Sequence, residues 1–294
     1  MAIQSAGRLY VVATPIGNLG DLSPRARAVL SECALVAAED TRHTGVLLKH
    51  FGIATPQLSL HDHNELERTP DLVSRFRRGE SIALVSDAGT PAISDPGFDL
   101  VRAAAAAGIE VVAIPGPCAA IAALSIGGLP TDRFCFEGFL PARRLARRKR
   151  LEALLHEART LVFYEAPHRV RDTLEDCAKV FGENRGATVV REITKMHETA
   201  YRGSLGEHLA RAASDPDFSR GEIVLLIAGL PQAEEAGERG ADGVGGALDR
   251  VLKILLAELP LKQAAHLAAQ LAQVRDNEAY RRALELKPES ASHS

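Results

Sequence analysis

The stretch Ile82-Ala83-Leu84-Val85 runs straight into Ser86-Asp87-Ala88-Gly89-Thr90-Pro91-Ala92-Ile93-Ser94-Asp95-Pro96-Gly97, and an alanine-rich helical pattern follows. The first four residues read as a short buried strand and the next twelve as the loop that leaves it. An ordinary strand-to-helix turn needs one or two Gly, Pro, Ser or Asp residues, whereas this loop is rich in them throughout. Such a loop offers exposed backbone N–H and C=O groups, with carboxylates, at the carboxyl edge of a sheet. That edge is where open α/β sheets bind small ligands.

Outward from this loop, strand and helix signals alternate. Leu9 to Ala13 is a short apolar run broken by Thr14-Pro15-Ile16-Gly17-Asn18. Ser23-Pro24 predicts a helix start, with serine as N-cap and proline at the first helical position. Leu35 to Ala38, Gln57 to Leu60, Ile82 to Val85 and Glu110 to Ile114 continue the series. Short apolar strands alternating with helices predict βαβ units and a largely parallel sheet.

Pro115-Gly116-Pro117 closes that set, and a helix over about Cys118 to Ser125 leads to a second one: Phe134 to Glu137, Leu161 to Tyr164, Thr188 to Arg191 and Glu222 to Ala228. The expected organisation is an α/β domain over 1–118, a second α/β domain over 119–230, a linker over 231–246 rich in Ala, Glu and Gly, and a small helical extension over 247–294. Ala247 to Leu256, Leu261 to Ala272 and Asn277 to Leu286 are its helices, in a helix-turn-helix-like pattern or as a plain cap.

Composition bounds the function. The 294 residues are 46% hydrophobic and 25% charged, ordinary for a globular protein, and 4% aromatic without tryptophan, which disfavours a base-stacking platform. The net charge of −3 gives no global attraction to nucleic acid. Locally, however, Arg143, Arg144, Arg147, Arg148, Lys149 and Arg150 crowd into one segment of an otherwise acidic chain. Cys33, Cys118, Cys135 and Cys177 lie far apart without zinc spacing, which suits reduced thiols. No signal-peptide pattern and no span-length apolar run appear, so a cytoplasmic protein is expected, with no membrane partner.

The chain lacks a P-loop, a dinucleotide G-x-G-x-x-G after its first strand and a G-x-S-x-G elbow. His61 and His63 could face one way on an extended segment, but no third ligand is well spaced. No metal is expected; these histidines, with Asn64 and Glu65, are expected to line a polar cleft. Polar clusters also end three apolar runs: Glu39-Asp40-Thr41-Arg42, Tyr164-Glu165-Ala166-Pro167-His168-Arg169 and Arg191-Glu192-Ile193-Thr194-Lys195. With the Ser86 to Gly97 loop they predict a two-sided cleft.

These motifs carry a resemblance. Val12 to Asp21, Ala38 to Arg42, the Ser86 to Gly97 loop and Ile114 to Pro117 together resemble the tetrapyrrole-methylase-like (class III) S-adenosylmethionine-dependent methyltransferases. The clusters at Tyr164 to Arg169 and Arg191 to Lys195 resemble the branch that methylates the ribose 2′-hydroxyl of a decoding-centre cytidine in 16S ribosomal RNA. The match runs in register over about residues 8 to 230, and Glu258 through Arg282 resembles that branch's helical extension.

The resemblance implies a mostly parallel first sheet, a mixed second sheet, S-adenosylmethionine in the cleft between them, a homodimer, and 16S rRNA or the small ribosomal subunit as partner. Carried over by position, it implies donor contacts from Pro15, Asp87, Ala88, Gly89, Ile93, Ser94, Cys118, Ala119, Tyr164 and Glu165. A ribose hydroxyl is a weak nucleophile at neutral pH, so a base or a cation beside it would help. The candidates are Glu192, Lys195, His168, Asp40 and Arg42, each of which could equally be an ion pair holding a loop. RNA phosphate contacts are expected from the Arg143 to Arg150 segment, where a helix would put Arg143, Arg147 and Arg150 on one face. Removing Arg147 and Arg148 together is then expected to weaken RNA binding and spare donor binding. The alternatives are a carbon methyltransferase acting on a porphyrin-like precursor and a non-catalytic RNA-binding assembly factor.

Overall fold

A computed structural model describes residues 6–230, 244–272 and 274–286. The chain divides into two compact units, the second holding the C-terminal helices.

In the first unit β1 (Leu9–Val12), β2 (Leu35–Ala38), β3 (Gln57–Ser59), β4 (Ile82–Val85) and β5 (Val111–Ile114) form a parallel sheet in the order β3-β2-β4-β1-β5. Strands β2 and β4 are buried at every position, as their unbroken apolar runs require. Between the strands run α1 (Pro24–Glu32), α2 (Thr41–His50), α3 (Glu65–Arg77) and α4 (Phe98–Ala106). Ser23 caps α1 through the Ala26 amide at 3.0 Å, with Pro24 in the first turn. Helix α4 opens on Gly97 without a cap of its own. Glu65, 5% exposed, supplies one from α3, accepting from the Gly97 and Leu100 amides at 3.1 and 2.8 Å. That corrects the expectation that Glu65 lines a cleft, because its carboxylate is spent on orphan helix N–H groups.

Helix α5 (Ala119–Gly127) carries the chain to the second sheet, formed by β6 (Phe134–Phe139), β7 (Thr160–Glu165), β8 (Gly186–Arg191), β9 (Thr199–Ser204) and β10 (Ile223–Ile227) in the order β6-β7-β10-β8-β9. Only β6 and β7 pair in parallel; β10 is antiparallel to both β7 and β8, so the sheet is mixed. β9 was not expected. It is a polar edge strand, Thr-Ala-Tyr-Arg-Gly-Ser, with no apolar face long enough to register as a strand.

Helices α6 (Arg144–Ala153), α7 (Val170–Phe181) and α8 (Leu205–Ser214) cover one face of this sheet. Ala120, Ala123 and Leu124 of α5 cover the other, against Val162, Val190, Val224 and Leu226, and Ile16 from the first sheet's leading loop joins them. Close approach explains Gly127, where a Cβ would stand 2.3 Å from Leu226 Cδ1.

The second unit is a three-helix module of α9 (Val244–Glu258), α10 (Leu261–Ala272) and α11 (Asp276–Leu286) around Leu248, Leu252, Ala265, Ala268, Ala269, Ala279 and Ala283. Arg282 pins α11 to α9 through Asp249. The expected linker lies outside the described residues except for 244–246, which belong to α9: the apolar repeat running from Val244 carries the helix across Gly245 and Gly246. No helix among the described residues is long and apolar enough to cross a membrane.

Candidate active site

All five strands of the first sheet point one way, so the loops after β1, β2, β4 and β5 emerge at one edge. In the second sheet Ile223 pairs with both Glu165 and Arg191, which brings the ends of β7 and β8 to a common edge with the start of β10. The predicted clusters therefore converge.

The leading loop and the Ser86 to Gly97 loop are stitched together. Thr14 and Gly89 exchange two backbone hydrogen bonds of 2.9 and 3.1 Å, and the Thr14 hydroxyl donates to the Ser86 carbonyl. Gly89 sits at φ +85°, and a Cβ there would press on Ile16 Cγ2 at 3.3 Å. The four non-glycine residues with left-handed φ among the described residues are Ala92, Ser94, Glu192 and Thr194. All lie in two loops, one from each sheet, and such strain persists only where the surroundings fix it.

Between these loops lies a mostly apolar cavity of about 210 Å³. Ala88, Gly89, Ile93 and Ser94 line it from the first sheet, Cys118 and Ala119 from the start of α5, and Tyr164 from β7. The Tyr164 hydroxyl accepts from the Ala120 amide at 3.2 Å, and its ring stands edge-on to Phe136 and Phe139. Burial pushes its phenol well above the ordinary value. Glu165 also borders the cavity, but its carboxylate is occupied, accepting from Thr173 Oγ1 at 2.6 Å and the Ala166 amide at 2.8 Å and pairing with Arg169 at 3.2 Å. It holds the turn after β7.

Pro15 and Asp87, expected among the donor contacts, line a second cavity of about 270 Å³ on the other side of the Thr14–Gly89 stitch. Sequence reasoning missed Asp95, Phe139, Ile193 and Glu222, which line the first. Asp95 repeats the Ser-Asp pair of Ser86-Asp87, a signal that could have marked it. Burial pushes its carboxyl up to about 6, against the Ser86 hydroxyl and helped by Glu39, Asp87 and Asp62.

Of the candidate catalytic groups, Glu192 and Lys195 meet. Lys195 Nζ bonds Glu192 Oε1 at 3.0 Å and Glu222 Oε2 at 3.2 Å, and the Glu222 amide donates to Glu192 at 2.8 Å. Burial works against both charges, but the partners outweigh it: Glu192 is held below and Lys195 above its ordinary value. The Lys195 stem lies on Gly17, at φ +148°, where a Cβ would stand 2.4 Å from Lys195 Cγ. Asp40 and Arg42 pair with each other at 2.6 Å, and Asp40 caps α2 through the Arg42 amide at 2.8 Å. The Arg42 side chain, with that amide, holds the Asp40 carboxyl far below the carboxylate range. His168 is exposed on the turn before α7 and lines neither cavity.

The basic segment is corrected most. Arg147 is 2% exposed and faces inward with Leu151. Its guanidinium pairs at 2.8 Å with Asp176 of α7, itself fully buried, and Arg144 and Arg148 reach the same carboxylate at 3.1 and 2.7 Å. Arg150 pairs with Glu137. Arg143 and Lys149 alone stay exposed without an ion pair among the described residues. Removing Arg147 with Arg148 would therefore break a buried network rather than isolate an RNA contact.

A mixed α/β pair of sheets with a cavity at their joined loop edges has clear relatives. Residues 8–209 match the model of the Tetrapyrrole (Corrin/Porphyrin) Methylases, and the chain belongs to that family. Residues 242–287 match the RsmI C-terminal HTH domain. The chain is 56% identical over 286 residues to "Ribosomal RNA small subunit methyltransferase I" of Pseudomonas aeruginosa, covering 97% of this chain and 100% of that protein. It is 52% identical to the protein of the same name from Escherichia coli O157:H7, covering 97% of each. Among solved structures, a uroporphyrin-III C-methyltransferase from Thermus thermophilus, complexed with S-adenyl homocysteine, superposes with a TM-score of 0.52 at 18% identity, covering 76% of this chain and 97% of that one. That likeness concerns the fold.

Proposed function

We propose that the protein transfers a methyl group from S-adenosylmethionine to the ribose 2′-hydroxyl of a decoding-centre cytidine in 16S rRNA, acting on the small ribosomal subunit in the cytoplasm as a homodimer. The observation that carries this reading is the first cavity, built from the loops of both sheets, in a chain so similar along its whole length to rRNA small subunit methyltransferases.

The residues present suit the donor. Glycine at 89 lets the backbone approach, the walls are largely apolar, and Asp95 offers a carboxylate to a cationic ligand. The donor supplies a methyl group already activated on a sulfonium. The protein's part is to align oxygen, carbon and sulfur. The 2′-oxygen bonds to the methyl carbon as the C–S bond breaks, the electron pair stays on sulfur, and the hydroxyl proton leaves to solvent. Lys195, a fixed cation, steadies charge on that oxygen. Glu192, held below its ordinary value, is a poor base and serves to hold Lys195.

The test is methyl transfer from labelled donor to small subunits from cells lacking the gene, with nuclease mapping. The expected product is one cytidine whose 3′ linkage resists alkali, because its 2′-hydroxyl is blocked. A methylated base, or transfer only to a tetrapyrrole precursor, overturns the reading.

Asp95 adds a pH prediction. A cation beside it favours the ionised carboxylate, so donor affinity should rise with pH through about 6 and fall about tenfold from pH 7 to pH 5. Calorimetry checks this. Asp95→Asn should bind weakly and without that slope, and an unchanged slope would remove Asp95 from the donor site.

A further inference from the structure

The second cavity has no occupant in the function argued so far. Its floor is polar, with Thr14, Ser86 and Asp87, and its walls are apolar, with Pro15, Leu19 and Val46. Leu19 is 43% and Val46 73% exposed, so the rim offers flat apolar surface that nothing in the chain covers among the described residues. The cavity's volume is about 270 Å³.

Its position couples it to the first cavity. The two share a partition one chain thick, in which Ile16 faces the first cavity while Pro15 and Gly17 face the second. The partition ends at Gly17, under Lys195, whose ammonium bonds Glu222 on the rim of the first cavity. The Lys195 side chain thus reaches from Gly17, which lines the second cavity, to Glu222, which lines the first. Asp87 adds a reading head. One carboxylate oxygen accepts from the Asp40 amide at 3.0 Å, and the other has no partner among the described residues. An unspent carboxylate oxygen suits the exocyclic amine of cytosine and repels the carbonyl that uracil carries there.

We propose that this cavity takes the acceptor nucleoside, a cytidine swung out of the RNA strand, with Leu19 and Val46 against the base and Asp87 accepting from its amine. This rests on the function proposed above and names the seat of its substrate. Enzymes that do chemistry on a base take it out of the stack, and a ribose hydroxyl can be presented by the same movement.

The experiment compares wild type with Val46→Trp, which fills the mouth from an exposed helix position, and with Leu19→Trp on the opposite wall. Melting curves confirm that each variant folds. Donor Kd is expected to stay within about twofold, while kcat/KM for small subunits falls at least about tenfold, chiefly through KM. Saturation-transfer NMR with cytidine monophosphate should report contact with wild type, a weaker signal from both variants, and a preference over uridine monophosphate that Asp87→Asn abolishes. Unchanged kcat/KM in both tryptophan variants overturns the proposal, as does a donor Kd weakened as much as kcat/KM. If wild type methylates no small subunit, the proposed function fails. The nucleotide-binding arm still decides what the cavity holds.

Discussion

Asp176→Asn is expected to destabilise the first unit by about 3–5 kcal/mol, because it strips a buried guanidinium of its counter-charge. The Arg147 side chain is 3% exposed and the Asp176 side chain 0%, so neither has water to fall back on. Asparagine keeps the shape and one acceptor and removes only the charge. For a unit of this size the melting temperature should drop by roughly 6–20 °C. Exposed pairs set the contrast: breaking Arg8–Glu110, with both side chains more than half exposed, should leave the melting curve almost unchanged. A paired replacement by apolar residues, Arg147→Met with Asp176→Leu, should recover most of the loss, since packing replaces a bridge whose desolvation was costly. The pH dependence follows in sign. Burial raises the Asp176 carboxyl, but the three arginines outweigh it and hold it below its ordinary value. Its contribution is therefore complete above the unfolded value near 4 and lost as pH falls through the lower native one. Denaturant melts of the single and double variants test the whole argument, and a loss under about 1 kcal/mol for Asp176→Asn would refute it.

That network also shows where reading along the chain stops. An apolar run is local information, and β2 and β4 fall where Leu35 to Ala38 and Ile82 to Val85 predict them. So is a turn with its caps: Ser23-Pro24 and the loop from Ser86 are legible because each signal sits within a few residues of its effect. Convergence of the polar clusters follows from strand direction alone, since loops at the same ends of parallel strands share an edge. A charge, by contrast, means nothing until its partner is known. Arg147 read as a phosphate contact because Asp176 lies a helix and a strand away in sequence. Glu65 reads as a cleft residue because the amides it caps, at Gly97 and Leu100, open the next helix, more than thirty residues on in sequence. Pro15 and Asp87 share their loops with residues that line the first cavity. Side chains alternate across a thin partition, however, and neighbours in sequence face different cavities. β9 escaped because an edge strand lacks a second buried face.

Lys195→Met should lower kcat by roughly 10²–10³-fold while leaving donor affinity within about twofold, the size expected when one preset donor to a developing oxyanion is removed. An ammonium carries three donors; Glu192 and Glu222 take two, leaving one for the acceptor oxygen. Both carboxylates raise Lys195 above its ordinary value, so it stays charged throughout the working range and cannot act as a base there. Its stem, lying on Gly17, is kept in methionine, which separates loss of the charge from loss of packing. Lys195→Arg should restore part of the rate, since it returns the charge with a different reach. Glu192→Gln discriminates the competing view. As a general base Glu192 would cost as much as Lys195 and take a limb of the pH–rate profile with it. As a support for Lys195 it should cost about tenfold and leave the profile's shape unchanged. The remaining acidic limb, near 6, belongs to Asp95 and should appear in kcat/KM for the donor rather than in kcat. Single-turnover rates across pH 5 to 9 for the three variants separate these outcomes. A Lys195→Met enzyme that keeps more than half the wild-type rate would remove the cation from the chemistry.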